Sequence, residues 1–461
     1  MNRLIINLCF FILLTASIFI EKANSQGSAP KKNLLALTNV TVIDGNGNRP
    51  QPRKTILVSG ERIADIFTTG RKRIPAGATV MDLSGQYVIP GLIDSHYHFN
   101  LGTRGKETEA ALRRFALLGG ITAVRDLAGD AIALAELAKI AGESDAPSPR
   151  VYFSALMAGK SWFIDQRVGI IMHGKPAGEA AWARAITSDT DVARAVAEAK
   201  ATGATGIKLY ADLSPDVVAK ITREAHRQNL KVWSHATIFP SRPSDAVKAG
   251  VDVISHSNLL VWELVDKLPD VSDKASNSMV GWTKVTVGDS RMTALLREMR
   301  RRGTMLDDTQ IWVEYRLLPA IENSEASKPA EQRTPNYGAA IENWTSGIVK
   351  RAHDFGIPIV AGTDFQEHPE SQDFPNIHTE LELLVTKCGL TPLEAITTAT
   401  RNGAVILGIQ NSYGTIAKGK VADLIVLSAD PSADIRNTTK IVYVVKGGKL
   451  YKREKVTLPE N

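Results

Sequence analysis

Val88-Ile89-Pro90-Gly91-Leu92-Ile93-Asp94-Ser95-His96-Tyr97-His98 divides the chain into two kinds of sequence. Before Pro90-Gly91 the segments are short, β-branched and separated by turn residues. Val40-Thr41-Val42-Ile43 precedes Asp44-Gly45-Asn46-Gly47, and Thr55-Ile56-Leu57-Val58 precedes Ser59-Gly60. Such pieces read as β-hairpins. After Gly91 the pattern changes to short buried strands alternating with amphipathic helices. The first strand is Gly91–Asp94, and others lie at Gly120–Val124, Arg150–Ser154, Thr205–Leu209, Lys231–His235, Val251–Ser255, Thr304–Asp307 and Ile357–Ala361. Eight strand–helix repeats predict a (β/α)8 TIM barrel. An open doubly wound sheet would also alternate, but nothing here resembles a Gly-rich dinucleotide turn.

The far end returns to the first pattern, with Ala422–Leu427, Lys440–Val445 and Gly447-Gly448. We therefore expect a small β-sandwich domain built from 26–90 and 405–461, flanking a barrel over 91–404. The composition agrees with a folded α/β protein. Of 461 residues, 44% are hydrophobic and 23% charged, which excludes a disordered or collagen-like chain. Only 6% are aromatic, so the core must be mainly aliphatic. The net charge of +6 is spread along the chain, and Arg71-Lys72-Arg73 reads as a solvated loop, so nucleic acid is not an expected partner.

Met1 to Ser25 reads as a secretory signal: Arg3, then an apolar run from Ile5 to Ile20, then Ala23-Asn24-Ser25. Cleavage near Ser25-Gln26 would leave an exported protein, periplasmic or secreted, without a membrane span. A retained N-terminal anchor is the alternative. Cys9 lies inside the apolar run, so the mature chain keeps Cys388 alone and no internal disulfide can form.

The chemistry-bearing residues fall at strand ends. His96 and His98 follow the first strand with one residue between, so both point to one side. His235 ends the fifth strand, His256 follows the sixth, and Asp364 follows the eighth in Gly362-Thr363-Asp364. Lys208 sits in the fourth strand, where alternation sends Ile207 and Leu209 outward and Lys208 inward. A barrel gathers these strand ends on one face, where barrel enzymes keep their active sites. Imidazole and carboxylate are donors that a borderline divalent ion such as zinc accepts. An unpaired ammonium inside a barrel also needs explaining.

With these residues in place the chain resembles the amidohydrolase superfamily over nearly all of its mature length. The resemblance rests on Val88–His98, His235, His256, Gly362-Thr363-Asp364, Thr391-Pro392-Leu393-Glu394-Ala395-Ile396 and Gly414 to Val426. It is most similar to the imidazolonepropionase-like and Xaa-Pro dipeptidase branch. The resemblance implies metal ligands His96, His98, Lys208, His235, His256 and Asp364. In its binuclear form two Zn2+ ions share Lys208, carboxylated by CO2, and a metal-bound hydroxide hydrolyses an amide or small-peptide C–N bond. Asp364 would be catalytic, moving the proton from water to the leaving amine. An unmodified Lys208 beside one metal is the alternative, suited to a cyclic-amide hydrolase or deaminase. A non-catalytic solute-binding barrel is a further alternative, though a degraded site would normally have lost a ligand.

For the substrate, Tyr210 follows Lys208 on the inward face, Arg125 comes after the second strand, and His173 lies in the loop after the third. Trp262, Trp282 and Trp312, in the long segments after strands six and seven, fit either a partly apolar lid or ordinary packing of the inserted helices. The related dipeptidases carry Gly-Gly-His-Gly after strand three, where this chain has Met157-Ala158-Gly159-Lys160-Ser161-Trp162-Phe163. His226 and His353 fall in helical patterns and read as surface or packing residues, and His378 opens a helical run and reads as structural. The reading leaves a homo-oligomer open.

Overall fold

The computed structural model describes residues 33–99, 112–143, 147–164, 166–271, 280–364 and 376–453. The leader at 1–25 and His368 lie outside them. The turn-punctuated N-terminal stretch forms β1 (Leu34–Val42), β2 (Gln51–Ser59), β3 (Arg62–Thr68), β4 (Thr79–Asp82) and β5 (Tyr87–Pro90). β1, β2 and β3 pair antiparallel, while β4 and β5 run parallel to β1. Alternation decides which side chains go inside: Leu35, Leu37, Ile56 and Val58 all join one buried cluster.

Past Gly91 the chain enters the barrel with β6 (Leu92–Tyr97), β7 (Ile121–Leu127) and β8 (Arg150–Ala158). A short antiparallel pair follows, β9 (Glu179–Ala180) and β10 (Ala183–Ala185). The remaining barrel strands are β11 (Gly206–Leu209), β12 (Lys231–His235), β13 (Val253–Ser255), β14 (Met305–Asp307) and β15 (Ile359–Val360). Eight of these, all but β9 and β10, run parallel in sequence order. Backbone bonds from Ser95 N–H to Ala361 O, 3.2 Å, and Asp364 N–H to His96 O, 2.7 Å, close the last strand onto the first. Each predicted barrel strand is present.

Helices cover the outside for the expected reason. The helix Pro215–Arg227 buries Val218, Ile221, Thr222 and Ala225, the i, i+3, i+4, i+7 stripe, and starts with a proline that needs no N–H partner there. Inside, Leu127, Trp233, Val253, Met305 and Val360 from five strands pack in one cluster. Two residues further along, on the same face, come His235, Ser255 and Asp307, which are register partners. The apolar floor and the polar mouth of the barrel are thus consecutive turns of one alternation.

The chain then returns to the first sheet. β16 (Leu424–Leu427) pairs antiparallel with β5, Leu424 opposite Pro90 and Leu427 opposite Tyr87. β17 (Ile441–Lys446) and β18 (Lys449–Lys452) complete a sheet of eight strands drawn from both ends. The strand that leads into the barrel is therefore held by the first strand that follows it.

Candidate metal centre

The strand ends deliver His96, His98, Lys208, His235, His256 and Asp364 to one cavity of about 440 Å³, which all six line. Asp364 is the hub. Its Oδ1 lies 3.2 Å from His96 Nε2 and 3.0 Å from His98 Nε2, and its Oδ2 lies 3.8 Å from His256 Nδ1. His96, His256 and Asp364 each present one ligand atom within 4.8 Å of the others. The rings of His235 and His256 are 4.6 Å apart, and those of His96 and His256 5.1 Å.

Two of these side chains are aimed by unusual backbone. His256 and Asp364 have φ of 71° and 52°, in the left-handed region. Such conformations cost on the order of 1–3 kcal/mol each and persist only where surrounding contacts enforce them. Asp364 is enforced by its own N–H bond to His96 O. Thr363 beside it bonds through N–H and Oγ1 to the buried carboxylate of Asp94, at 3.1 and 2.8 Å. Asp94 also accepts from His96 N–H, so one carboxylate ties the first and last strand ends together.

Burial sets the protonation. It drives the pKa of His235 down to about 3 and that of His256 well below 6.5, leaving both neutral and able to donate a lone pair. Burial also opposes charge on His96, but Asp307 and Asp364 outweigh it and hold His96 at about 9. For Asp364 burial works against the anion, and the histidines around it prevail, keeping it ionised. Lys208 is 1% exposed, donates to Ser255 Oγ at 3.1 Å, and is pulled down to about 8 chiefly by burial. The neutral imidazoles of His235 and His256 and the ionised carboxylate of Asp364, around one cavity, are donors that fit a divalent ion.

Residues 87–451 match the family described as "Amidohydrolase family". The chain belongs to that family. As an amidohydrolase it is a hydrolase acting on carbon–nitrogen bonds. Ochratoxinase of Aspergillus niger is 27% identical over 421 residues, covering 79% of this amidohydrolase and 75% of that protein. Imidazolonepropionase of Klebsiella pneumoniae subsp. pneumoniae is 24% identical over 387 residues, with 82% and 86% covered. The crystal structure of the A. niger ochratoxinase aligns with a TM-score of 0.69 at 22% identity, over 92% of this chain and 96% of that one. A Xaa-Pro dipeptidase with bound methionine aligns at 0.67 and 21%, over 91% and 100%. At these identities the solved structures speak for the fold.

The residues expected around the substrate divide. Tyr210 lines the cavity, its ring 5.0 Å from that of His235. Arg125 does not reach the cavity: it lies within β7 rather than after it. Its guanidinium is fully buried 4.1 Å from the Trp233 ring and donates to Thr205 Oγ1 at 3.0 Å. Alternation puts Arg125 on the inward face with Leu127, below the mouth. His173 is half exposed and pairs with Asp130 at 2.7 Å, apart from the lining residues. Of the three tryptophans Trp312 lines the cavity, whereas Trp262 and Trp282 are buried in the core, Trp262 against Phe239 and Trp282 against Trp344. Burying an indole contributes more than exposing it as a lid. His378 is buried, as a structural residue should be. His226 and His353 pair at the surface with Asp252 and Glu394.

Sequence reasoning passed over several residues. Asp307 holds His96 Nδ1 at 2.5 Å, Thr309 lies 3.0 Å from His256 Nδ1, and Thr237 Oγ1 lies 2.7 Å from His235 Nδ1. Such partners fix ring orientation in metal sites. Asp307 was findable, since it lies two residues beyond the inward Met305 and so on the same face. Asn258 and Leu259 line the cavity from the 3-10 helix Ser257–Leu264 and Arg316 from the π-helical turn Val313–Leu317, short segments that carry neither the strand nor the α-helical period.

Proposed function

We propose that this chain is an exported, metal-dependent amidohydrolase that cleaves an amide or small-peptide C–N bond at a two-zinc centre. The ligands would be His96, His98, His235, His256, Asp364 and a carboxylated Lys208. The observation that carries the reading is the convergence of these six side chains on one cavity, with Asp364 in reach of three histidines. Divalent ions there would bring the pKa of water near neutrality and polarise a carbonyl.

The protein groups have separate tasks. Lys208, buried and drawn to about 8, supplies the neutral amine that adds CO2 and releases a proton, replacing a buried cation with an anion. Asp364, held ionised by the histidines, takes the proton of the attacking water and returns it to the leaving nitrogen. Without that return an amine leaves poorly. Tyr210, beside His235, is in position to donate to the oxyanion that develops. Met1 to Ser25 supports export, and N-terminal sequencing of protein recovered outside the cytoplasm should begin near Gln26.

A second reading is favoured by the bond from Lys208 to Ser255 Oγ, which gives an unmodified amine one acceptor. Metal per chain separates the two, measured on protein produced with zinc and bicarbonate. The binuclear reading expects two ions, falling to one or none in Lys208→Ala. One ion, unchanged by that substitution, overturns it in favour of a one-metal cyclic-amide hydrolase or deaminase. Asp364→Ala should abolish turnover while circular dichroism shows the fold intact.

A further inference from the structure

The mouth of the barrel has two unlike sides. Segments following β13 and β14 supply Asn258, Leu259, Trp312 and Arg316 to the main cavity. Trp312 and Arg316 are four residues apart, across a π-helical turn at Val313–Leu317. Single π turns inside helices occur frequently at functional sites. Arg316 brings a guanidinium, whose planar fork suits a carboxylate. Asn258 is 2% exposed, and its Oδ1 has no hydrogen-bond partner among the described residues. A buried, unpartnered carbonyl oxygen calls for an N–H donor.

Across the mouth, segments following β6, β7 and β8 enclose a second cavity of about 140 Å³. It shares His98 and Tyr210 with the first, so the two meet at the candidate metal centre. Its walls include Phe99, Leu156, Trp162, Ile170 and Ile171. Asp126 also borders it, but its two carboxylate oxygens already accept backbone N–H bonds from Phe99 and Gly129, both at 2.6 Å. That carboxylate is committed to the protein. An apolar cavity of about 150 Å³ accommodates a benzene ring. Trp162 stands against Tyr210 at 4.8 Å, and Ile170 is 56% exposed at the rim, apolar surface that a ligand would cover.

We propose that the cavity beside His98 and Tyr210 is a subsite for an uncharged aromatic or branched aliphatic group, while Arg316 receives an anionic group on the opposite side. Asn258 accepts the substrate's N–H between them. The substrate class is then an amide that joins an apolar group to a carboxylate-bearing part. Cleavage of that amide rests on the function proposed above; the binding preference does not.

The test therefore separates binding from turnover. Binding is measured by calorimetry on the zinc-loaded protein with 3-phenylpropanoate, propanoate and 3-phenylpropanamide. Turnover is measured with phenylacetyl-glycine and succinyl-benzylamide, which carry the two groups on opposite sides of the amide, and with acetyl-glycine and phenylacetyl-glycinamide. We expect 3-phenylpropanoate to bind at least about tenfold tighter than either probe lacking one group. One of the two bifunctional amides should exceed acetyl-glycine and phenylacetyl-glycinamide in kcat/KM by a similar factor. Ile170→Asp, at an exposed position, should reduce the phenyl preference about tenfold, and Arg316→Met the carboxylate preference equally. Hydrolysis without either preference overturns the subsites and leaves the hydrolase reading standing. Preferences that vanish in the two variants, with no amide cleaved, support the subsites and overturn the amide-cleavage reading. Preferences that both variants retain overturn this assignment of residues.

Discussion

His96 is gripped from both sides. Asp307 Oδ2 lies 2.5 Å from Nδ1, Asp364 Oδ1 lies 3.2 Å from Nε2, and the ring is 1% exposed. Gly362 completes the grip by having no side chain. A β-carbon there would stand 2.5 Å from His96 Cβ and 2.7 Å from Asp307 Oδ1, closer than van der Waals contact allows. The glycine in Gly362-Thr363-Asp364 is thus a spatial requirement of the ring it faces. Removing the anion while keeping the shape tests the grip. Asp307→Asn should weaken metal binding about 10–100-fold, read by chelator competition. Affinity equal to wild type would mean that packing alone orients the ring.

Among the elements, the helix Pro392–Thr397 shows how a sequence signature can be a mechanical part. Thr391 caps it, accepting from Glu394 N–H, while Glu394 Oε2 accepts from Thr391 N–H at 2.8 Å, a reciprocal capping box with proline at the first helical position. The π-helical turn Thr398–Asn402 follows directly. From it Asn402 Nδ2 donates to Ile359 O at 2.8 Å, and Thr398 O accepts from Ala361 N–H at 3.4 Å. The capped helix therefore supports β15, the strand that leads to Asp364. Thr391→Ala should lower stability by about 1 kcal/mol in denaturant unfolding. A change under a few tenths would show the cap to be redundant with the packing of Ala395 and Ile396.

At the scale of the whole molecule, His378 joins separate parts of the chain. It lies in the helix Ile377–Thr386, meets Gly119 O at 3.0 Å just before β7, and meets Thr438 Oγ1 at 3.0 Å just before β17. Burial lowers its pKa from 6.5 to about 4. The folded state therefore refuses a proton that the unfolded state accepts. Stability from this residue is complete above about pH 6.5 and is lost progressively as pH falls toward 4. The difference amounts to about 3 kcal/mol. Denaturant midpoints between pH 7 and pH 4 should fall less steeply in His378→Gln than in wild type. Parallel slopes would contradict the assignment. Among the described residues no helix is long and apolar enough to cross a membrane.

Strand alternation and residue type were enough to find the barrel, its eight strands, the inward Lys208 and the histidines and aspartate at the strand ends. These follow from local rules: a period of two fixes which side chains share a face, and parallel strands put their ends together. Arg125 obeyed the same rule, but its depth within β7 depended on where the strand stopped, which sequence places only to within a few residues. The partners of the rings, Asp307, Thr309 and Thr237, and the walls made by Asn258, Arg316, Trp162 and Ile170 were decided by tertiary structure. Those contacts join segments distant in the chain or lie in short 3-10 and π-helical turns, where neither the strand nor the α-helical period reports direction. Burial, likewise a property of the assembled barrel, then left His235 and His256 neutral, each with a lone pair to donate.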